Sequence, residues 1–300
     1  MKAWTKLRRG WNTSTRMRAV EALVAQPVAQ RPAIERPQGD TAYIKATFHC
    51  MRGQSQLLRS SQTAPLKIAK TFPSSDGAVD VCLMDCSPGL LNGDRYKLEW
   101  NVEDNACVKI TTQSFTKVHP SSGAGCRQRT RIRIASGGLL EYAPQPTMLF
   151  RDADFRVELE ADVTSGGTLL LSDILCAGRI GRGEELQFSN YSNQLIVRYD
   201  EELIFCSRNR FQPHLQNLRA VGSWGSNTHY GTFFVFSSSA NLDLLEAVRQ
   251  VLGEYSNISS GASLTYKNGV AVAALAAGAW SLQELFAKLG SCAKRHVCNA

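Results

Sequence analysis

The string Gly178-Arg179-Ile180-Gly181-Arg182-Gly183-Glu184 holds the most chemical promise in this 300-residue chain. A glycine-rich turn with two arginines can cradle a phosphate through backbone N–H groups. It follows one strand-like run and precedes another, so it lacks the helix N-terminus that phosphate loops use. The same residues equally make a glycine-kinked β corner. Asp152 and Asp154 stand two apart, which on a strand puts both carboxylates on one face, as a metal site or glycosidase pair needs. The alternative is a solvated turn. Cys82-x3-Cys86 and the group Cys292, His296, Cys298 are the possible metal-ligand sets, with His296 and Cys298 the nearest to a candidate site. A structural zinc site wants four close ligands, and neither group supplies them, so incidental thiols are the competing reading. No phosphate-loop, zinc-protease, EF-hand or G-x-S-x-G motif occurs, and the five histidines are scattered.

The elements that must position these residues are mainly strands. Phe155, Val157, Leu159, Ala161 and Val163 alternate with Arg156, Glu158, Glu160 and Asp162, the period-two signature of a half-buried strand. The same alternation runs through 79–83, 95–100, 107–110 and 129–134, and further strands are expected at 168–175, 194–199 and 202–206. Turn signals separate them: Ser74-Ser75-Asp76-Gly77, Asn92-Gly93-Asp94, Ser136-Gly137-Gly138 and Ser165-Gly166-Gly167. Short strands without intervening helical patterns predict a mainly β fold of layered antiparallel sheets, a sandwich or β-helix-like body. Near the C-terminus the period changes. Asn241 caps a helix carrying Leu244, Leu245, Val248, Val251 and Leu252, ended by Gly253. Residues 262–274 read as a hairpin turning at Lys267-Asn268-Gly269. Ser281 to Glu284 is a capping box that opens a second helix with Leu282, Leu285, Phe286 and Leu289, stopped by Gly290.

The net charge is +8, from 34 Lys+Arg against 26 Asp+Glu. Residues 1–36 hold eight basic and two acidic side chains, so the rest carries only +2. That argues against a nucleic-acid-binding body, although Arg129, Arg131 and Arg133 form a small basic stripe on one strand. The organisation expected is a basic, flexible extension and Pro/Gln-rich linker (1–37), one β-rich domain (38–290) and a tail (291–300). The extension lacks the apolar core of a secretory signal; a plain solvated arm and an organelle transit peptide both fit it. The longest apolar run, 269–280, is too short to span a bilayer. Nine cysteines without regular spacing fit reduced thiols in a cytoplasmic protein.

Taken in order, several strings resemble the urease accessory protein D family, called H in some bacteria. Ser87-Pro88-Gly89-Leu90-Leu91-Asn92-Gly93-Asp94 is similar to its glycine-rich turn. Ile110-Thr111-Thr112-Gln113 with Thr116-Lys117-Val118 is similar to its "TTQ…TK" segment. Leu140-Glu141-Tyr142-Ala143-Pro144 with Pro146 resembles "LEYLPxP". Asp173-Ile174 followed by Gly178-Arg179 and Gly183-Glu184 resembles its "D…GRxxxGE" corner, and Gly261-Ala262-Ser263 with 269–272 its hairpin. The chain departs from the family pattern at Asn92, at His119 and at Ser207-Arg208.

The resemblance implies a β-rich scaffold without catalysis. Its expected partners are urease apoprotein, accessory protein F and, through F, the GTPase G, with neither nucleic acid nor membrane among them. It also implies no tightly held cofactor, and Ni²⁺ in transit through an internal water-filled tunnel. Scattered oxygen donors suit such a route, because they hold nickel more loosely than His or Cys clusters. On this reading Asp94 and Asp173 line the tunnel with Thr116 and Lys117 near them; the alternative is that both aspartates hold turns. Gly93, Glu141, Tyr142, Pro144, Gly178, Arg179, Gly183 and Glu184 are then structural, with Glu141, Arg179 and Glu184 in ion pairs at β corners. The rival reading from the residues alone is a β-rich carbohydrate-active hydrolase or binding protein using Asp152 and Asp154.

Overall fold

The computed structural model describes residues 41–298; the basic extension and linker expected at 1–37 lie outside the described residues. The strands are β1 (Ala42–Met51), β2 (Gln54–Gln62), β3 (Leu66–Pro73), β4 (Val79–Asp85), β5 (Arg95–Val102), β6 (Cys107–Thr112), β7 (Thr116–Val118), β8 (Cys126–Ile134) and β9 (Leu139–Tyr142). They continue as β10 (Thr147–Leu149), β11 (Asp154–Val163), β12 (Thr168–Cys176), β13 (Asn190–Tyr199), β14 (Glu202–Phe211) and β15 (His229–Phe236). Helix α1 (Leu242–Gly253), the hairpin β16 (Ser259–Leu264) and β17 (Gly269–Ala276), and helix α2 (Ala279–Cys298) complete the chain.

From β4 to β13 the chain passes back and forth between two sheets. The first has the order β14-β13-β11-β8-β5-β1-β2, the second β16-β17-β15-β12-β9-β6-β4-β3. Each strand lies parallel on the strand one coil earlier. Arg95 faces Arg127 and Phe155 faces Cys126 in the first sheet; Val79 faces Val108 and Cys107 faces Leu139 in the second. Those partners are 32, 29, 29 and 32 residues apart, so one coil takes about 30 residues. The body is a flattened, solenoid-like stack. Its turns mark the period: Gly77, Asn105, Gly137 and Gly166 have positive φ, and each stands two residues before a strand of the second sheet. Glycine and asparagine adopt this left-handed conformation at least cost.

The layered antiparallel arrangement expected from the sequence is therefore corrected. Antiparallel pairs are confined to the flanks: β1–β2, β3–β4, β13–β14, and β15 with β12 and β17, plus β16–β17. Parallel neighbours need a long crossover. Here the crossover is a strand of the opposite sheet rather than a helix, and each sheet keeps an outward face, so period-two alternation persists. Fold class, strand content and the C-terminal helices stand as expected.

The inward faces of both sheets close on one core, with Ile44, Phe48, Trp100 and Ile132 from the first and Val81, Ile110, Leu140 and Phe236 from the second. A second core lies on the back of the second sheet, where Leu170, Phe233, Val235 and Val272 receive Leu244, Val248, Leu282, Leu285 and Leu289 of the helices. Each such aliphatic side chain, fully buried, contributes roughly 1.5–3 kcal/mol. Asn241 caps α1 as expected, its Oδ1 accepting from Leu244 N at 3.0 Å. The stop at Gly290 is corrected: α2 begins at Ala279, ahead of the capping box, and runs on to Cys298. Ala293 continues the apolar stripe and is fully buried, so packing carries the helix through the glycine. The boundary drawn at 290 falls inside this helix.

Candidate functional site: a polar seam between the sheets

The inter-sheet space is dry at one end and polar at the other. Two cavities share walls, one beside β7 and the ends of β4, β5 and β6, the other between β12 and β13. The first, of about 70 Å³, lies at the end of the coil under the 87–90 loop and is bounded by Asp85, Ser87, Tyr96, Gln113, Thr116 and Lys117. The second, of about 60 Å³, is deeper and holds Thr147, Ser172, Asp173, Asn193 and Thr232 against Phe155, Leu159 and Leu195. A water needs roughly 10–15 Å³ of such space, so each has room for several. Thr116, Gln128, Tyr142 and Pro144 border both. Ser207, Asn209, Thr232 and Phe234 likewise border the deep cavity and a wider recess, of about 410 Å³, where β14 faces β16 and β17. The three spaces thus lie side by side, each sharing wall residues with the next.

Asp173 is the only ionisable carboxyl lining the deep cavity among the described residues. It sits on β12 opposite Thr232 of β15 and points inward, half-buried. Its Oδ2 accepts from Asn193 Nδ2 at 2.8 Å and from Tyr191 Oη at 3.1 Å, and Asn193 also donates to Tyr191 at 3.3 Å. Burial pushes its carboxyl above the usual range, and the hydrogen bonds only partly offset this. Its charge in turn raises the phenols of Tyr191 and Tyr230, adding to burial, and helps push the Cys176 thiol up to about 12. A lone carboxylate among neutral donors and waters attracts a cation and lacks the ligand number to trap one.

Asp94 is placed elsewhere. Its Oδ2 accepts from Leu91 N at 2.8 Å and its own N–H donates to Leu91 O at 2.9 Å, so the carboxylate holds the Asn92-Gly93 turn. It lines neither cavity. Thr116 borders both cavities, and Lys117, exposed, only the rim. The 87–90 loop crosses β7 so tightly that a Cβ on Gly89 would stand 2.6 Å from the Lys117 carbonyl oxygen.

Tyr142 and Pro144, expected to be structural, border both cavities, while Arg179, Glu184, Glu141, Asp152 and Asp154 form structural contacts. Arg179 and Glu184 make a two-pronged ion pair, and the guanidinium lies 4.1 Å from the centre of the Phe150 ring. Between them Ile180–Arg182 makes a single 3-10 turn, with Gly178 pressed against the Glu184 carbonyl and Gly183 in the left-handed region. The arginine is thereby taken up internally. Glu141 faces away from the seam and is paired with Lys109 at 3.0 Å and Lys294 at 2.8 Å, which ties α2 to the sheet. That pair spans strand and helix rather than a β corner. Burial alone would raise the Glu141 carboxyl; the two lysines outweigh it and hold it below the usual range. Asp152 occupies a positive-φ turn, and Asp154 is held by Asn190 Nδ2 at 2.7 Å and Arg156 at 3.6 Å. The structure finds no group of three or more His, Cys, Asp or Glu able to hold a metal among the described residues. Cys82 and Cys86 belong to no such group; Cys292 and His296 lie four apart on α2, and the side chain of Cys298 falls outside the described ones.

The UreD urease accessory protein family model matches residues 40–300. The chain belongs to this family. It is 32% identical to the urease accessory protein UreD of Acetivibrio thermocellus over 77% of its own length and 87% of that protein's. UreD of Deinococcus radiodurans is 30% identical over 77% and 84%, and the urease accessory protein UreH of Helicobacter pylori 26% identical over 76% and 84%. The match begins at residue 40, so residues 1–37, which hold the basic extension, stand outside it. No helix among the described residues is long and apolar enough to cross a membrane.

The residues that the sequence reading missed are Gln128, Tyr191, Asn193, Ser172 and Thr232. For Gln128 and Asn193 a signal existed. Each interrupts the inward, apolar phase of its strand: Cys126, Gln128, Thr130, Ile132 on β8 and Tyr191, Asn193, Leu195, Val197 on β13.

Proposed function

We propose that the chain is a non-catalytic scaffold of urease maturation, which binds urease apoprotein and accessory protein F and passes Ni²⁺, received through F from the GTPase G, toward the urease active site. The observation that carries this reading is the row of neighbouring polar spaces, sharing walls, with Asp173 in the middle one. A route for a divalent ion needs water throughout, a carboxylate to offset desolvation, and no closed ligand set that would stop release. Hydroxyl and amide oxygens of Thr116, Thr232, Asn193 and Asn209 supply weak, exchangeable contacts along it. Lys117 at the rim repels a cation, which favours the Asp173 side of the row as its resting position. Asp94 drops out of the proposed lining because its carboxylate holds a turn. The family membership supports the assignment to urease maturation.

The test is complementation of a deletion strain that makes urease apoprotein. Wild-type chain is expected to co-purify with apoprotein and accessory protein F and to restore activity. Activity in the deletion strain equal to that of the complemented one would overturn the reading.

A further inference from the structure

The outward face of the first sheet has a charge pattern that the near-neutral total conceals. The outward positions of its seven strands hold twelve Lys or Arg against five carboxylates. Residues 37–300 as a whole carry +2, so with +7 on this face the remainder is net acidic by five charges. The arginines are also aligned. Arg95 on β5, Arg127 on β8 and Arg156 on β11 are direct cross-strand neighbours, and Arg210 on β14 follows beyond Ser192. At one strand per 4.7–4.9 Å the row is about 19 Å long. Like charges directly opposite one another cost stability.

The carboxylates offset part of this. Glu158 takes Arg127 and Arg129, Glu160 takes Arg131, and Glu99 takes Lys45 and Lys97. Arg95, Arg133, Arg208 and Arg210 have no carboxylate at ion-pair distance among the described residues.

We infer that the outward face of this sheet docks an acidic protein surface. The area fits: seven strands by four outward rows is on the order of 600 Å², most of one side of a standard interface. The pattern fits a protein better than a nucleic acid. Glu158, Glu160 and Asp162 stand beside the β8 arginines, where a phosphate backbone would meet them, while a partner of mixed charge can pair with both signs. Tyr43 and His49 are the aromatic rings on the outward face, too few for a run of stacked bases. The inference does not depend on nickel passage, and its failure would leave that reading untouched.

The test uses the full-length chain and a fluorescent 20-residue poly-L-glutamate peptide, read by anisotropy across a salt series. R95E/R133E/R208E is compared with R8E/R9E/R16E, which changes the net charge equally in the N-terminal extension. The sheet variant is expected to lose about tenfold or more in affinity, the extension variant about threefold or less. R95K/R133K/R208K, which keeps the charge, is expected to stay within about twofold of wild type. If the reversal fails to fold, R95Q/R133Q/R208Q reads the same loss at reduced size. Equal losses from sheet and extension would overturn the inference, because net charge alone would then explain binding. So would tighter binding of a 20-base-pair DNA duplex that the sheet variant abolishes. Salt-sensitive self-association of the wild type, lost in the sheet variant, would assign the face to a second copy instead.

Discussion

Two regions of the inter-sheet space are filled by the same inward strand phase to opposite rules. Toward β1, β5 and β6 it is filled by Phe48, Trp100, Ile110 and Ile132, none with any accessible surface. Toward β12, β13 and β15 the same inward phase delivers Asp173, Asn193 and Thr232, with room for water between them. A polar group taken out of water without full compensation costs free energy. The dry end needs no explanation beyond stability; the wet end weakens the fold where it stands, and its neighbouring spaces at both rims suggest what is gained.

Substitutions at the two ends should therefore behave differently. The largest effect belongs to the dry end. Trp100→Ala should destabilise by about 3–5 kcal/mol in urea unfolding, as large-to-small changes in a closed core do; a loss under 1 kcal/mol would mean that the dry end is looser than it looks. Next comes the clasp behind the second sheet. Glu141→Gln should cost about 1–2 kcal/mol, since two partly exposed lysines lose their shared anion. The Glu141 carboxyl is held low in the folded state, so its contribution is full above the unfolded value and is lost as pH falls through the folded one. The wild-type-minus-variant stability difference should shrink under acid titration; a constant difference would exclude the ion pair as its source. Asp94→Ala should cost about 1 kcal/mol by releasing the Leu91 N–H, with no change in urease nickel content.

The smallest effect on stability, and of opposite sign, is expected at Asp173. Its carboxyl is raised in the folded state, so ionisation favours unfolding, and stability falls as pH rises from the unfolded value through the folded one. Asp173→Asn should leave the melting temperature at neutral pH equal or higher and remove that part of the pH dependence. A clear loss of stability at neutral pH would make Asp173 an ordinary structural anion.

Strand positions, the helix cap at Asn241 and the hairpin were legible because period and turn chemistry are local. Sheet direction was not. Alternation reports one wet face and one dry face, and a coil that crosses to the other sheet by a strand leaves the same trace as a meander. The turn spacing of Gly77, Asn105, Gly137 and Gly166 held the missing information, since residues 28–32 apart with the same forced conformation imply a repeating coil. The stop at Gly290 misled for a related reason. Glycine ends a helix when nothing holds the next turn, and here Ala293 and Lys294 are held by the sheet. Of the two aspartates, Asp94 carried its turn signal in the Asn-Gly before it. Asp173 could be told apart only by a polar residue standing in an apolar phase. The basic outer face escaped notice because its rows combine residues about 30 apart in the chain.

The central claim, that the wet seam conducts nickel, is tested most directly by nickel content per urease active site, measured by elemental analysis of enzyme matured with Asp173→Asn or Asp94→Asn. The account predicts that the Asp173 variant lowers the nickel content to less than about half while still co-purifying with apoprotein, and that the Asp94 variant matches wild type. Full nickel loading with the Asp173 variant, or equal losses from both, would contradict it.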